Sequence, residues 1–185
     1  MLRAMTTPEP IAFRPAVAAD ALCLGVLSTQ VFLDTYAPNG IGPSLAREVL
    51  EQHSVGVYEA ALADPGLTIL VAECAGHLVG LSQVIAGATH ALVTAPEASE
   101  LRRLYVHERF TGRGVGRELL RHAEKAAAAR GADTLWLTAW EGNARALQFY
   151  PRCGYEDVGG TIYSFGGDDF PNRVFAKRVR HVASA

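Results

Sequence analysis

This 185-residue chain has few of the residues that build metal or redox sites: three cysteines, two methionines and two tryptophans. Cys23, Cys74 and Cys153 lie far apart with no Cys-x-x-Cys pair. Each sits among apolar neighbours, so they read as small buried hydrophobes rather than ligands or nucleophiles. The six histidines show neither His-x-x-x-His nor His-Glu-x-x-His spacing, and no metal is expected. Net charge is also lacking. Seventeen basic residues against nineteen acidic ones leave −2, with no cationic surplus to grip a phosphate backbone, so no nucleic-acid partner is expected. The basic tail Lys177-Arg178-Val179-Arg180 alternates as a strand does and reads as a solvated strand edge. No run approaches the roughly 18 apolar residues of a membrane span, and the first residues show no basic-then-apolar leader. A soluble protein in a reducing, cytoplasmic setting is expected, with no membrane partner.

What the chain does have is apolar residues, 49% against 19% charged, enough for one packed domain over residues 1–185, with 1–10 as a flexible extension. Ile11 to Arg14 alternates and is stopped by Pro15, which predicts a first strand. Asp20 is placed to cap a helix in which Leu22, Val26 and Leu27 recur at helical spacing, with Phe32, Leu33 and Tyr36 continuing it to the breaker Pro38-Asn39-Gly40. Two short helices are expected near Ser44–Leu50 and Val57–Leu62. Thr68–Ala72 and Leu78–Ile85, around Gly76, form a hairpin. A strand over Glu100–Val106, a helix over 113–130 with Val115, Leu119, Leu120 and Ala123 on one face, and a strand over Leu135–Trp140 follow. A short helix over Asn143–Tyr150 comes next. The closing strands are Tyr155–Phe165 and Arg173–Val179, joined by a Gly-Gly-Asp-Asp loop in which Asp168 and Asp169 are merely solvated.

One segment carries chemistry. Leu104-Tyr105-Val106 runs into His107-Glu108-Arg109-Phe110, then Thr111-Gly112-Arg113-Gly114-Val115-Gly116-Arg117 opens directly into the long helix. A strand, a glycine-rich loop and a helix start aim several backbone amides and the positive end of the helix dipole at one spot. Phosphate or pyrophosphate suits such a spot, and Arg113 and Arg117 could add charge-assisted contacts. A dinucleotide site needs Gly-x-Gly-x-x-Gly near the start of a βαβ unit with an acidic residue at the next strand end. Here the order is Gly-x-Gly-x-Gly, past mid-chain, and the next strand ends in Trp140. The Walker pattern is absent. A turn that only packs helix on strand remains the plain alternative.

The loop resembles the Gln/Arg-x-x-Gly-x-Gly/Ala signature of the GCN5-related N-acetyltransferases, with Thr111 at the position of the usual Gln or Arg. Asn143-Ala144-Arg145-Ala146-Leu147-Gln148-Phe149-Tyr150-Pro151-Arg152-Cys153-Gly154-Tyr155 resembles the family's second signature, about 30 residues on with a strand between. Residues 32–36, 100–106, 135–143 and 162–168 are further similar to PaiA-type bacterial spermidine/spermine acetyltransferases. Residues 40–65 and 85–98 carry little of this likeness and are candidates for acceptor specificity. The resemblance implies an α/β fold with a mixed, mostly antiparallel sheet of six or seven strands and about four helices. The strands before residues 113 and 143 would splay apart.

It also implies an acetyl-CoA-dependent N-acetyltransferase acting on a primary amine of a small molecule, with a polyamine as the candidate acceptor and a homodimer as the candidate assembly. A peptide or aminoglycoside acceptor, or a non-catalytic acetyl-CoA sensor, are the alternatives. In the resemblance, Thr111, Gly112, Arg113, Gly114, Val115, Gly116 and Arg117 hold the pyrophosphate. Backbone of Leu104, Tyr105 and Val106 meets the pantetheine arm, joined by Asn143 and Ala146. Tyr150 protonates the departing thiolate, although Pro151 behind it is expected to end or kink the helix there. Glu100 is the candidate base, against a plain surface charge at a strand edge. Asp34, Tyr36 and Trp140, with Glu141 beside them, are candidates for the acceptor wall, through ion pairing and cation–π contact. Asn143 equally suits a helix N-cap.

Overall fold

A computed structural model describes residues 9–165 and 167–179 of the chain. Seven strands form one sheet in the order β1-β2-β3-β4-β5-β7-β6. They are β1 (Ile11–Pro15), β2 (Leu67–Cys74), β3 (His77–Ala86), β4 (Ala98–Val106), β5 (Thr134–Trp140), β6 (Glu156–Phe165) and β7 (Asp168–Arg178). Every neighbouring pair is antiparallel except β4 and β5. Five helices cover it: α1 (Ala21–Tyr36), α2 (Pro43–Gln52), α3 (Val55–Ala63), α4 (Val115–Ala129) and α5 (Ala144–Arg152). Of the expected N-terminal extension, residues 1–8 lie outside the described residues, as do Gly166 and Arg180.

Strand alternation sends the two faces to different helices. Leu101, Leu135, Leu137 and Phe175 pack with Leu120, Ala123 and Ala127 of α4, and Leu70, Ala72 and Val79 pack with Val115 and Leu119. On the other face Ile69, Val71 and Leu81 pack with Leu24 and Leu27 of α1 and Tyr58 of α3. Full burial of a Leu or Val side chain contributes about 1.5–3 kcal/mol relative to exposure, so these two layers hold the sheet between them. Helix α2 has no buried residue. It lies over the edge of the second face, and polar contacts described below fasten it.

Several sequence expectations need correcting. Leu22 and Val26 are 62% and 61% exposed, because the inward stripe of α1 is Leu24, Leu27, Ser28 and Phe32. Cys23 is on the same outward side and is exposed. Asp20 precedes α1 but does not cap it. Its carboxylate accepts from Val17 N–H at 2.8 Å and pairs with Arg14 at 2.7 Å, which holds it below the usual carboxylate range. Pro151 does not end its helix, which runs to Arg152; Pro151 lacks only a donor near the C-terminal turn, and Tyr150 stays helical. The loop expected over 166–169 is shorter, since β7 begins at Asp168, paired with Phe165. That strand lies between β5 and β6 rather than at an edge, and its Lys177 pairs with Glu124 at 2.9 Å.

Candidate active site

Strands β4 and β5 pair over only three positions, Ala98↔Thr134, Ser99↔Leu135 and Glu100↔Trp136. Beyond them both strands continue, β4 against β3 as far as Gly80↔Val106 and β5 against β7 as far as Trp140↔Asn172. The two therefore splay, as expected, and Leu104–Val106 and Leu137–Trp140 turn one edge each toward a V-shaped cleft. An extended ligand can bond such an edge as an added strand would. The Tyr105 side chain itself points away from the α4 layer, packed with the Tyr58 cluster, and burial raises its phenol's pKa.

Where β4 leaves the sheet, a 3-10 turn over Glu108–Phe110 leads to the glycine loop. Thr111 bonds back to the Glu108 carbonyl through its amide (3.1 Å) and hydroxyl (2.8 Å), so its side chain serves the turn. Gly112 and Gly114 have φ of 72° and 83°, a backbone that L-residues avoid, and a methyl group at either would meet nothing within 4 Å. The space in front of both is open. Gly114 is the N-cap of α4, and Glu118 N–H to Gly114 carbonyl (3.1 Å) is the first helical bond. The amides of Val115, Gly116 and Arg117 are left without helical acceptors. Arg113 lies over the Phe110 ring at 4.8 Å, and both Arg113 and Arg117 are exposed. The residues thus form an open cradle of amides with two cations at its rim.

Helix α5 forms the far wall. Asn143 caps it, its side chain accepting from Ala146 N–H at 3.0 Å. That bond uses the amide oxygen and leaves the NH2 group for other partners. Phe149 comes within 3.7 Å of the position a Gly116 Cβ would take, so α5 abuts the start of α4. Arg145 grips Glu108 with two bonds of 2.7 and 3.0 Å, joining α5 to the loop after β4 and holding the Glu108 carboxyl low. Tyr150, 8% exposed, packs on Phe149, Tyr155 and Phe175. Among the described residues its hydroxyl has no hydrogen-bond partner. Burial raises its pKa, with Tyr36 and Cys153 adding to the effect.

Glu100 stands at the parting point of the strands. Its carboxylate is not free: Arg102 bonds it at 3.0 Å. Trp140 ends β5 with its ring 5.3 Å from Tyr36, whose ring in turn lies tilted against Phe32 at 4.6 Å. Asp34 is separated from both. It is exposed, two residues from Phe32 and from Tyr36 on α1, and residues two apart on a helix do not share a face. A pocket of about 260 Å³ opens beside Tyr36, lined also by Gly40, Gly42, Pro43, Ser44, Leu45, Phe165, Asp168 and Phe170. Asp168, read from sequence as solvated loop, is its carboxylate. Period-two spacing of Tyr163 and Phe165, and of Asp168 and Phe170, was the signal that could have found this wall: the register Tyr163↔Phe170 and Phe165↔Asp168 sets these side chains on one face. Of the two stretches singled out for specificity, 40–65 supplies the pocket's far side. Residues 85–98 instead support the sheet, with Ala88 carbonyl accepting from Trp136 Nε1 at 2.9 Å.

Polar contacts pin α2 above this pocket. Tyr163 donates to Glu48 at 2.8 Å, and Arg103 donates to Gln52 carbonyl at 2.9 Å and to Gln83 at 2.5 Å. A cation at the last carbonyls of a helix is favourably placed. Next to it His53 is 3% exposed, bonded to Ser28 Oγ at 2.5 Å and set against Phe32 at 4.6 Å. Burial, with Arg103 nearby, pushes its pKa down to about 4.

The acetyltransferase (GNAT) family model matches residues 32–155. An N-acetyltransferase from the pepI 3'region of Lactobacillus delbrueckii subsp. lactis is 23% identical over 142 residues, 77% of this chain and 82% of that protein. Among solved structures, PaiA N-acetyltransferase from Thermoplasma acidophilum in complex with coenzyme A superposes with a TM-score of 0.69 at 21% identity, covering 91% of this chain and 99% of that one. The yncA acetyltransferase of Salmonella typhimurium, with its cofactor acetyl-CoA, gives 0.68 at 19% identity over 95% and 98%. At these identities the two structures share the fold.

Proposed function

The chain belongs to the acetyltransferase (GNAT) family, and we propose that it transfers an acetyl group from acetyl-CoA to a primary amine of a small cationic molecule. The observation that carries this reading is the parting of β4 and β5 beyond Glu100↔Trp136, with the Gly112–Gly114 cradle at the end of the freed strand. These residues fit the donor. The amides of Val115, Gly116 and Arg117 and the guanidinium groups of Arg113 and Arg117 would hold its pyrophosphate. The free edge of Leu104–Val106, with Asn143 and Ala146 opposite, would hold its pantetheine arm. When bound, acetyl-CoA supplies an activated thioester. A depressed cysteine nucleophile is not needed, and the free cysteines Cys23, Cys74 and Cys153 suit a reducing, cytoplasmic setting.

The chain's own groups then move two protons. Tyr150 gives its phenolic proton to the thiolate that leaves once the amine nitrogen has bonded to the thioester carbon, and the proton that nitrogen sheds as it becomes an amide restores the phenol through water. Glu100 receives the acceptor's ammonium proton through water, with Arg102 holding the carboxylate in place. Tyr150 has a raised pKa because it is buried, so it stays protonated, and able to donate, at any neutral pH.

We assign the acceptor pocket to Tyr36, Phe165, Phe170 and Asp168 beside Trp140. Among the described residues it is lined by one carboxylate, three aromatic rings and no Lys or Arg, which favours an alkyl amine with a second ammonium, such as a polyamine. Thiol release measured with diamines and polyamines against monoamines of equal length tests this. Lower KM for acceptors with a second charge supports the assignment, and equal KM values refute it.

A further inference from the structure

The turn between β5 and α5 contains a glycine that its backbone does not require. Trp140-Glu141-Gly142-Asn143 closes with Asn143 N–H donating to the Trp140 carbonyl at 2.9 Å, and Glu141 N–H donates to the Pro171 carbonyl at 2.9 Å. Gly142 is not among the residues with positive φ, so an L-residue could adopt its conformation. Its side-chain space is what is taken. A methyl group on Gly142 would overlap the benzo ring of Trp140 at Cζ2 and Cη2, and would lie 2.6 Å from Cε2. The indole is folded over the bare backbone of this residue.

Held there, the same ring meets Tyr36 at 5.3 Å and Phe170 at 6.3 Å, linking α1 to β7 across the cleft. Tyr36 lines the Asp168 pocket, and Trp140 ends the strand that borders the cleft. The Tyr36–Trp140 pair therefore joins the cleft edge of β5 to the pocket.

We propose that Gly142 is a specificity-determining position of the acceptor site: having no side chain, it seats the Trp140 indole against Tyr36 and so shapes the passage between the cleft and the Asp168 pocket. This rests on the acceptor reading above. Gly142 acts through Trp140 and is a positioning residue. An indole has two side-chain torsions and no flexible tip, so any substituent at 142 must swing the whole ring and break its contact with Tyr36.

The test uses Gly142→Ala and Trp140→Leu, singly and combined. Acceptor kinetics, CoA affinity by calorimetry and, in a Trp136→Phe background, the emission of Trp140 are read. Gly142→Ala should raise the diamine KM about tenfold, with kcat within about threefold and CoA affinity unchanged. Trp140 emission should shift to the red and quench more readily with acrylamide. Once Trp140 is Leu, adding Gly142→Ala should change KM by less than about twofold, because the overlap is gone. An unchanged KM in the single variant, or an equal penalty in both backgrounds, overturns the proposal. Should Gly142→Ala fail to fold, the double variant must fold, and its failure also overturns it. If wild-type protein acetylates no amine, the acceptor reading falls separately, and unshifted Trp140 emission decides against the seating role.

Discussion

Glu100 and Trp136 are the last residues that β4 and β5 share, and the cleft begins at the next residue of each strand. The cause lies in β4. Arg102 is unmatched between the pairs Gln83↔Arg103 and Val84↔Leu101, so two residues of β4 face one step of β3. Such a bulge bends its strand and increases the local twist, which carries β4 away from β5 at the point where the cleft opens. Arg102 also holds Glu100 at 3.0 Å, so the residue that bends the strand fixes the candidate base.

The loop assignment predicts how Gly114 responds to substitution. Gly114→Val should cost about 1–2 kcal/mol of stability, since φ is 83°, and should weaken CoA binding at least ~tenfold by turning the cradle amides. Gly131→Ala, with φ of 91° at the far end of α4, is the control. It should lose similar stability and leave CoA affinity unchanged in calorimetry.

Tyr150→Phe removes a hydroxyl without a hydrogen-bond partner among the described residues. Melting temperature and CoA affinity should hold while kcat falls roughly ten- to a thousandfold. Because burial raises the Tyr150 pKa, wild-type kcat should show no loss of the acid below about pH 10, the ordinary tyrosine value. A kcat profile falling between pH 8 and pH 9 on deprotonation of this group (roughly one to two units below that value) would contradict the role.

The two aspartates should behave differently. Asp168→Asn should raise the spermidine KM about tenfold, about 1.4 kcal/mol, with little effect on a monoamine. Asp34→Asn should change it less than about twofold, since Asp34 is exposed and off the Tyr36 face. Steady-state kinetics on both variants, repeated at high salt to screen the attraction, separates them.

What sequence could and could not show follows from this contrast. Gly112, Gly114, Asn143 and Tyr150 were legible because their requirements are local: a positive φ, a helix cap, a place in a short helix. Strand alternation gave the sheet, and the cleft followed from a strand-loop-helix order. The surroundings of Asp34 and Asp168 were not legible, because facing is not local. Asp34 turns away through a 200° rotation on α1, and Asp168 reaches the pocket because the register Phe165↔Asp168 sets it near the start of α2, over 120 residues back in sequence. Helical spacing groups Leu22 and Val26 with Leu27, and apolar neighbours suggest a buried Cys23, whereas Leu24, Leu27 and Phe32 take the inward face. The buried pair Ser28–His53 left no sequence signal, since each residue alone is ordinary.

His53 makes stability fall on acidification. Its folded pKa, about 4, lies below the ordinary value of 6.5, so the unfolded chain binds its proton first as pH drops. Stability from this group is complete above about pH 6.5 and is lost toward pH 4, up to about 3 kcal/mol. Urea unfolding at pH 7 and pH 4.5 should show a larger loss for wild type than for His53→Gln. Equal losses would mean that His53 is protonated without cost in the folded state.

The central claim is acetyl transfer to a small cationic amine, and the most direct measurement is mass spectrometry of acceptors incubated with acetyl-CoA and the protein, with thiol release followed in parallel. Polyamines, amino acids, aminoglycosides and peptides form the panel. The account predicts acetylated diamine or polyamine with matching thiol release, abolished or greatly slowed in Tyr150→Phe. Tight acetyl-CoA binding with no acetylated product from any acceptor would contradict it.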